Sequence, residues 1–373
     1  MNRALADFGA YADGVLLPLC RDRFADARFG GFHERLDAAL TPLPLGRKRT
    51  MVQARQLYVL CHAALRGDRS GTAAAERGYE FLRRCCRDRR SGGWHFAVTP
   101  EGEALDATRD LYAHAFVMFA LAWLHRAFAA PEALVLARET MAALHAHLAA
   151  PGGGFLATAT PDWTADPAAL LQNPQMHLLE AMLALHAADG TGGWLVEADA
   201  LVRLFKAHLF EPVSGTLREY FAPGWVIAPG CGEAVEPGHQ FEWSWLLRRY
   251  AAAGGRERVE AEAARLYAFA TTRGLDAGGA IPDEVAPDGR IRAATRRIWP
   301  MAEAIKAAMA AGEPARAEAF ADRLGRDFLR HDAPGWYERL DAAGTPSMTE
   351  LPASTPYHLY FAACEGSQEG FFF

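Results

Sequence analysis

No uninterrupted run of about 18 apolar residues occurs anywhere in the sequence, so a membrane-spanning helix is not expected. A basic stripe is missing too. The 39 Lys and Arg are interspersed with 45 Asp and Glu for a formal net charge of −6, with no concentration of cations to grip a phosphate backbone, and nucleic acid is not an expected partner. β-Branched residues are sparse beside Ala and Leu, which favours helix over sheet. The first eight residues, Met1 to Phe8, hold no apolar stretch long enough for a signal peptide. The six cysteines, at 20, 61, 85, 86, 231 and 364, follow no regular framework. Cys85 and Cys86 are adjacent, a spacing that rarely closes into a disulfide. Reduced thiols and a cytoplasmic location are therefore expected. The sequence also lacks a Gly-x-Ser-x-Gly elbow and any glycine loop in the strand-to-helix context of a nucleotide site, so neither an acyl-transfer serine nor a bound nucleotide is expected.

What is present is a repeat. A glycine followed by an aromatic or aliphatic residue and then a polar one recurs at Gly31-Phe32-His33-Glu34, Gly93-Trp94-His95, Gly154-Phe155, Gly215 to Glu219, Gly279 to Asp283 and Gly335-Trp336-Tyr337-Glu338. The intervals are 62, 61, 61, 64 and 56 residues, a near-constant period that marks repeat architecture. The glycines suit turns of positive φ, and the short pattern after each can form a strand or hairpin. Between two such loops, Leu111 to Arg126 and Pro131 to Leu148 carry apolar residues at helical spacing. Pro131 is placed to open its helix, and Gly152-Gly153-Gly154 to stop it. Each period thus reads as a loop plus a helical hairpin. Six hairpins predict an all-α chain. An open solenoid would need polar terminal caps; none is evident, and the chain ends in Phe371-Phe372-Phe373. The expectation is a single domain over 1–373, an (α/α)6 barrel closed as a toroid.

Counting 21 to 24 residues on from each glycine gives Arg55, His114, His177, His239, Glu303 and His358, each near the start of an inner helix. In a ring of hairpins equivalent positions converge on the axis, so these six are expected at one mouth. A lone His at a helix start is ordinarily a cap or a satisfied core group; the coincident offsets weigh against that for His239 and His358, whose titration range suits proton transfer. Tyr112, Trp243 and Trp299 lie beside them, with faces suited to sugar C–H groups or to core packing. Asn173 and Arg55 offer hydrogen bonds for hydroxyls. His62, His145, His147 and His208 fall off the offset and read as structural or surface residues. His177-x-x-Glu180 and His239-x-x-Glu242 have the spacing of paired metal ligands, which keeps a metal as an alternative, but a zinc or hard-metal site collects more ligands than these. A glycoside hydrolase using Glu242 and Glu303 is a second alternative. The histidines fit proton abstraction beside a carbonyl better, and no metal or cofactor is expected.

The segments Gln53-Ala54-Arg55, Gly92 to Phe96, Asp110 to Phe116, Gln172 to Glu180, Glu236-Pro237-Gly238-His239-Gln240-Phe241-Glu242-Trp243, Arg296 to Pro300 and Ser354-Thr355-Pro356-Tyr357-His358, in this order, resemble the N-acylglucosamine 2-epimerase superfamily, especially its aldose–ketose isomerase branch containing mannose isomerases. The resemblance implies an (α/α)6 barrel. It implies His239 and His358 as the catalytic pair flanking the reacting carbons, and substrate contacts from Arg55, Tyr112, Asn173, His177, Glu242 and Trp299. Convergence adds His114 and Glu303 to the substrate-binding set. Gln240, where many relatives have a second histidine, and Met301, where many have glutamine, are departures beside the pocket that put the sugar's identity in question. The expected activity is aldose–ketose isomerisation of mannose–fructose type through a cis-enediol(ate). A 2-epimerase acting on a free mono- or disaccharide is the alternative, followed by a phosphosugar isomerase or a non-catalytic binding protein. The Ala-rich outer helices would suit a homodimer interface as well as ordinary solvated helices.

Overall fold

A computed structural model describes residues 3–168 and 170–367; the rest of the expected 1–373 domain, the terminal Phe371-Phe372-Phe373 included, lies outside the described residues. The chain is mostly helical, at 52% of residues, rather than all-α: strands of two or three residues line the loops. Among the described residues the α-helices are α1 (Arg3–Tyr11), α2 (Thr50–Leu65), α3 (Thr72–Phe81), α4 (Leu111–Phe128), α5 (Pro131–His147), α6 (Gln172–Ala188), α7 (Trp194–Leu204), α8 (Pro237–Ala252), α9 (Glu260–Thr272), α10 (Trp299–Ala310), α11 (Pro314–Phe328) and α12 (Pro356–Gly366). Proline opens α5, α8, α11 and α12 and is the second residue of α10, where its missing N–H costs nothing.

Two burial patterns separate the helices into layers. The even-numbered helices are covered on nearly every side; in α2, buried residues run almost without a break from Val52 to Ala64. The odd-numbered ones bury a stripe, as α11 does with Ala317, Phe320, Ala321, Leu324 and Phe328, the spacing of a half-solvated amphipathic helix. The even helices pack in succession, α2 on α4, α4 on α6, α6 on α8, α8 on α10 and α10 on α12, and each is backed by the odd helix that follows it. The order of the chain leaves α12 with no successor. Its partner is α1, which packs on both α11 and α12, so the sixth helical pair is assembled from the two ends of the described chain. First and last repeats also touch directly. Arg35–Leu36 pairs antiparallel with Leu351–Pro352, and Gln56 Nε2 donates to Ala353 O at 2.6 Å. By length and hydropathy α4 alone among the described residues matches a membrane span, yet 78% of it is buried, as expected of a core helix.

The recurring glycine loops follow one plan. In five of the six loops the residue after the glycine bridges back to the end of the preceding outer segment, Phe32 to Ala25, Trp94 to Arg87, Phe155 to Ala149, Thr216 to Glu211 and Trp336 to Leu329. The first turn of the next inner helix then holds that residue's backbone. Gln53 accepts from Phe32 N at 2.6 Å and donates back to Phe32 O at 2.9 Å. Gln175 does the same for Phe155, and Gln240 accepts from Leu217 N at 2.9 Å. His114 occupies this same position: its Nε2 accepts from Trp94 N at 3.1 Å, which puts the proton on Nδ1, 2.7 Å from Asp110 O. Close approach requires the glycine. A Cβ on Gly93, at φ +70°, would stand 2.8 Å from His114 Nε2 and 2.5 Å from Trp163, and one on Gly31, at φ +67°, 2.5 Å from Gln53 Oε1.

Candidate active site

The inner helices deliver their first turns to one cavity of about 180 Å³. It is lined by Arg55 (α2), Tyr112 (α4), Asn173 and His177 (α6), His239 and Glu242 (α8), Trp299 (α10) and His358 (α12), with Glu236, Arg297, Glu338, Ser354 and Thr355 from the adjoining loops. Eight of the ten expected site residues thus meet. The other two stand behind it. Glu303 is fully buried beneath His358. His114, with both nitrogens committed to backbone, is a loop-holding residue and not a cavity one; it comes two residues early in α4 relative to Arg55 in α2 and His177 in α6. Gln240 and Met301 are buried and do not line the cavity either. Glutamine and histidine can both accept from a loop N–H, and Gln240 does so from Leu217 N, away from the cavity. Trp243 is a core residue, stacked on Phe205. A larger depression of about 590 Å³ beside residues 22–29 and 42–48 contains none of the convergent side chains.

Trp299 stands between the two histidines, its ring 5.2 Å from His239 and 5.5 Å from His358, centroid to centroid. Each imidazole is held through Nδ1 by a carboxylate. His239 Nδ1 lies 2.9 Å from Glu219 Oε2, and that carboxylate is fixed by Gln172 Nε2 at 2.7 Å, whose Oε1 in turn accepts from Trp243. His358 Nδ1 lies 2.7 Å from Glu303 Oε1. Both rings are left with Nε2 for the cavity, the arrangement in which one nitrogen is fixed so that the other can work.

Their proton affinities are driven apart. Burial opposes charge on His239, but Glu219, Glu236 and Glu242 outweigh it and hold the imidazole up at about 9. At His358 burial prevails; Glu303 pulls the other way, Arg55 and Lys306 reinforce burial, and the group is pushed down to about 3. At neutral pH one histidine is therefore an imidazolium and the other a neutral base, the division of labour that acid–base chemistry on adjacent atoms requires. Glu303 is held near 2: burial disfavours its charge, but the Lys306 ammonium, 2.7 Å from Oε2, and the bond to His358 prevail. Glu242 is pushed well above the ordinary range by burial and by Glu303. Burial forces His177 far down; Nδ1 meets Glu180 at 3.1 Å and Nε2 lies 3.9 Å from Glu242.

The cations on the cavity wall are engaged. Arg297 reaches Asp283 at 2.9 Å and Glu236 at 2.7 Å. Arg55 donates to Tyr112 Oη at 2.5 Å and Ser354 O at 3.2 Å, with its guanidinium 4.1 Å from the Phe116 ring centre and 4.7 Å from that of Tyr357. Two trios bring potential ligand atoms within 4.8 Å of one another, Glu219–Glu236–His239 and Glu242–Glu303–His358. Each already contains a His–carboxylate hydrogen bond, and in the second an ammonium supplies the positive charge. The His177–Glu180 pair is closed on itself, whereas His239 turns away from Glu242 to Glu219.

Sequence reasoning missed Glu219, Gln172, Glu236, Arg297, Glu338 and Lys306. A signal existed for some of them. Four of the six glycine loops carry an acid, Glu34, Glu219, Asp283 and Glu338, and each bonds a residue at or just before the start of an inner helix: Arg49, His239, Arg297 and Thr355.

The model of the N-acylglucosamine 2-epimerase (GlcNAc 2-epimerase) family matches residues 30–362. A relative from Rhizobium meliloti named mannose-6-phosphate isomerase is 32% identical, over 96% of this chain and 95% of its own length. A D-mannose isomerase from Thermobifida fusca is 27% identical over 88% of this chain and 86% of its own. Among solved structures, a cellobiose 2-epimerase from Bacillus thermoamylovorans superposes with a TM-score of 0.89 at 21% identity, covering 98% of this chain and 99% of that one, which shows a shared fold. By the extent of the family match and by its likeness to these relatives, the chain belongs to the N-acylglucosamine 2-epimerase family.

Proposed function

We propose that the protein is a sugar isomerase that interconverts an aldose and a ketose of mannose–fructose type by histidine-mediated proton transfer. The observation that carries this reading is the pair His239 and His358 on one cavity, each held through Nδ1 by a carboxylate and left with Nε2 for the substrate. His358 Nε2 removes the C2 proton of the open-chain aldose while His239 Nε2–H protonates the carbonyl oxygen on C1, giving a cis-enediol. His239 then takes the proton from O2 as His358 returns its proton to C1, and the ketose forms with every proton accounted for. Arg55 meets the charge that develops on oxygen. If His239 instead takes back the proton from O1 and delivers it to C2 from the opposite face, C2 is inverted, the C1 carbonyl is restored and His358 is left holding the proton it removed. That second outcome is favoured by the placement of both imidazoles on one cavity and by the likeness to a cellobiose 2-epimerase.

Three further parts of the reading follow. The substrate is a free sugar: Glu236, Glu242 and Glu338 line the cavity, and of its two arginines Arg297 is already paired with Glu236 and Asp283, which leaves Arg55 alone against those carboxylates and makes a poor seat for a phosphate dianion. Proton transfer needs no metal, because Lys306 balances the charge beneath His358. The twelve helices form one closed (α/α)6-barrel domain, a reading supported by the α1–α12 pair and by the contacts between first and last repeats.

The test is to incubate EDTA-treated enzyme with free and 6-phosphorylated mannose and glucose in D₂O and follow products by NMR. Ketose from the free sugar is expected; C2-inverted aldose would move the enzyme to the epimerase branch, and turnover confined to the phosphorylated sugar or to metal-restored enzyme would overturn the corresponding part. His239→Ala and His358→Ala should each lower kcat by about 10²–10⁴-fold with circular dichroism unchanged. Near-normal turnover in either would remove that histidine from the mechanism.

A further inference from the structure

Lys306 lies one turn below the cavity on α10, with none of its surface exposed. Taking an ammonium wholly out of water is costly, and such groups persist where other charges require them. Its Nζ is 2.7 Å from Glu303 Oε2 and is walled in by aromatic rings, 3.9 Å from the centre of Trp245 and 4.6 Å from that of Phe361. Glu303 is equally buried, and its other oxygen holds His358 Nδ1 at 2.7 Å. The three groups form an unbroken line, ammonium to carboxylate to imidazole, that runs from the interior to the cavity wall.

We propose that Lys306 is a positioning residue for catalysis, which keeps Glu303 an acceptor and thereby fixes His358 with its proton on Nδ1 and its lone pair on Nε2 toward the sugar. The inference rests on His358 being the base, as proposed above.

The charges around Lys306 come from several helices. Glu303 shares α10; α8 supplies Glu242, α6 supplies Glu180, and α12 supplies His358 and Glu365. Arg55 of α2 adds a second positive charge that acts on His358. The outer helix α11, also packed on α10, buries only apolar side chains. Within this set Lys306 is a counter-charge to all four buried glutamates, 180, 242, 303 and 365. Take it away and Glu303 holds its proton more tightly, becoming a donor that competes for Nδ1. His358, relieved of a nearby cation, becomes easier to protonate as well. Both changes remove the neutral base from the same side of the pH scale.

Lys306→Met is therefore expected to lower kcat by about 10²-fold with KM little changed, and to move the acid limb of the kcat/KM profile upward by about one pH unit or more, as loss of an opposite charge at contact distance requires. Lys306→Arg, which keeps the charge, should recover part of kcat and return the limb toward its original place. Glu303→Gln should abolish the difference between lysine and methionine at 306. A Lys306→Met enzyme that folds and shows an unmoved limb and unchanged kcat overturns the proposal. If the methionine variant does not fold, histidine-selective ¹⁵N NMR of the unmodified protein decides. A neutral His358 protonated on Nδ1 through pH 5 to 7 is expected, and the Nε2–H tautomer or an imidazolium in that range overturns it. His358→Ala separates the two ideas: an inactive His358→Ala beside an unaffected Lys306→Met rejects the positioning role alone, whereas an active His358→Ala rejects the base on which it stands.

Discussion

A residue's neighbours, more than its type, decide what it does here. His239 and His358 have the same side chain and opposite protonation because three carboxylates surround one and burial dominates the other. Activity should accordingly be lost as pH rises through about 9, where His239 gives up its proton. Glu219→Gln removes the nearest carboxylate and should shift that alkaline limb to lower pH, by about one unit or more; a pH–rate profile checks this, and an unmoved limb would detach Glu219 from the acid. Stability carries its own pH signature. His358, lowered from 6.5 to about 3, favours the fold fully above 6.5 and progressively less as pH falls; Glu303, lowered from 4.5 to about 2, favours it above 4.5 and ceases to below 2. Both act in the same direction, so the melting temperature should decline as pH falls below 6.5, and more gently in His358→Ala. The histidine pair and Arg55 were legible in the sequence because each sits at a repeat-fixed offset and touches the cavity itself. Lys306 was not. It acts through Glu303, three residues away on one helix face, a spacing that reads equally well as a surface ion pair.

The elements repeat as the sequence period requires, but the period defines a register only to within a few residues. Two positions in the first turns of the inner helices do different work: Gln53, His114, Gln175 and Gln240 clasp the glycine loop behind, and Arg55, His177 and Glu242, two residues on, face the cavity. His114 satisfied the offset and belongs to the first set, and nothing in its identity distinguishes a clasp from a ligand. The loop backbone is buried, so the clasp matters to stability. Gln240→Ala should leave Leu217 N–H without its acceptor and cost about 1–3 kcal/mol in chemical denaturation, while Gln240→His should cost less than 1 kcal/mol and leave substrate preference unchanged, because His114 already performs this role in another repeat. A changed sugar preference in Gln240→His would return that position to the pocket. The loop acids were the recoverable omission: they recur in four of the six loops, three or four residues after the glycine, and they mark the side chains that fix the first turns.

At the scale of the molecule, the period implied both the count of helical pairs and their two layers; the pairing of the ends had to be seen, since no local signal ties residue 5 to residue 360. Glu318 of α11 accepts from the backbone N–H of Ala4 at 2.5 Å and of Leu5 at 3.1 Å, which caps α1 and moors it to the helix beside it. Glu318→Ala should destabilise α1 by about 1 kcal/mol, seen as faster hydrogen exchange of its amides with activity largely retained; unchanged exchange would mean that packing alone holds the helix. The pairing of α1 with α12 also has a bearing on how the protein is made. A chain emerging from the ribosome N-terminus first can fold its hairpins in turn, but α1 must wait for α12, the last of the twelve described helices to be translated. Until then the apolar flanks of the first and last repeats stay wet, and the nascent chain is open to chaperones and to aggregation. Because α12 also carries His358, prematurely terminated products would lack the proposed base, and catalysis would begin only once the whole circuit of repeats had been synthesised.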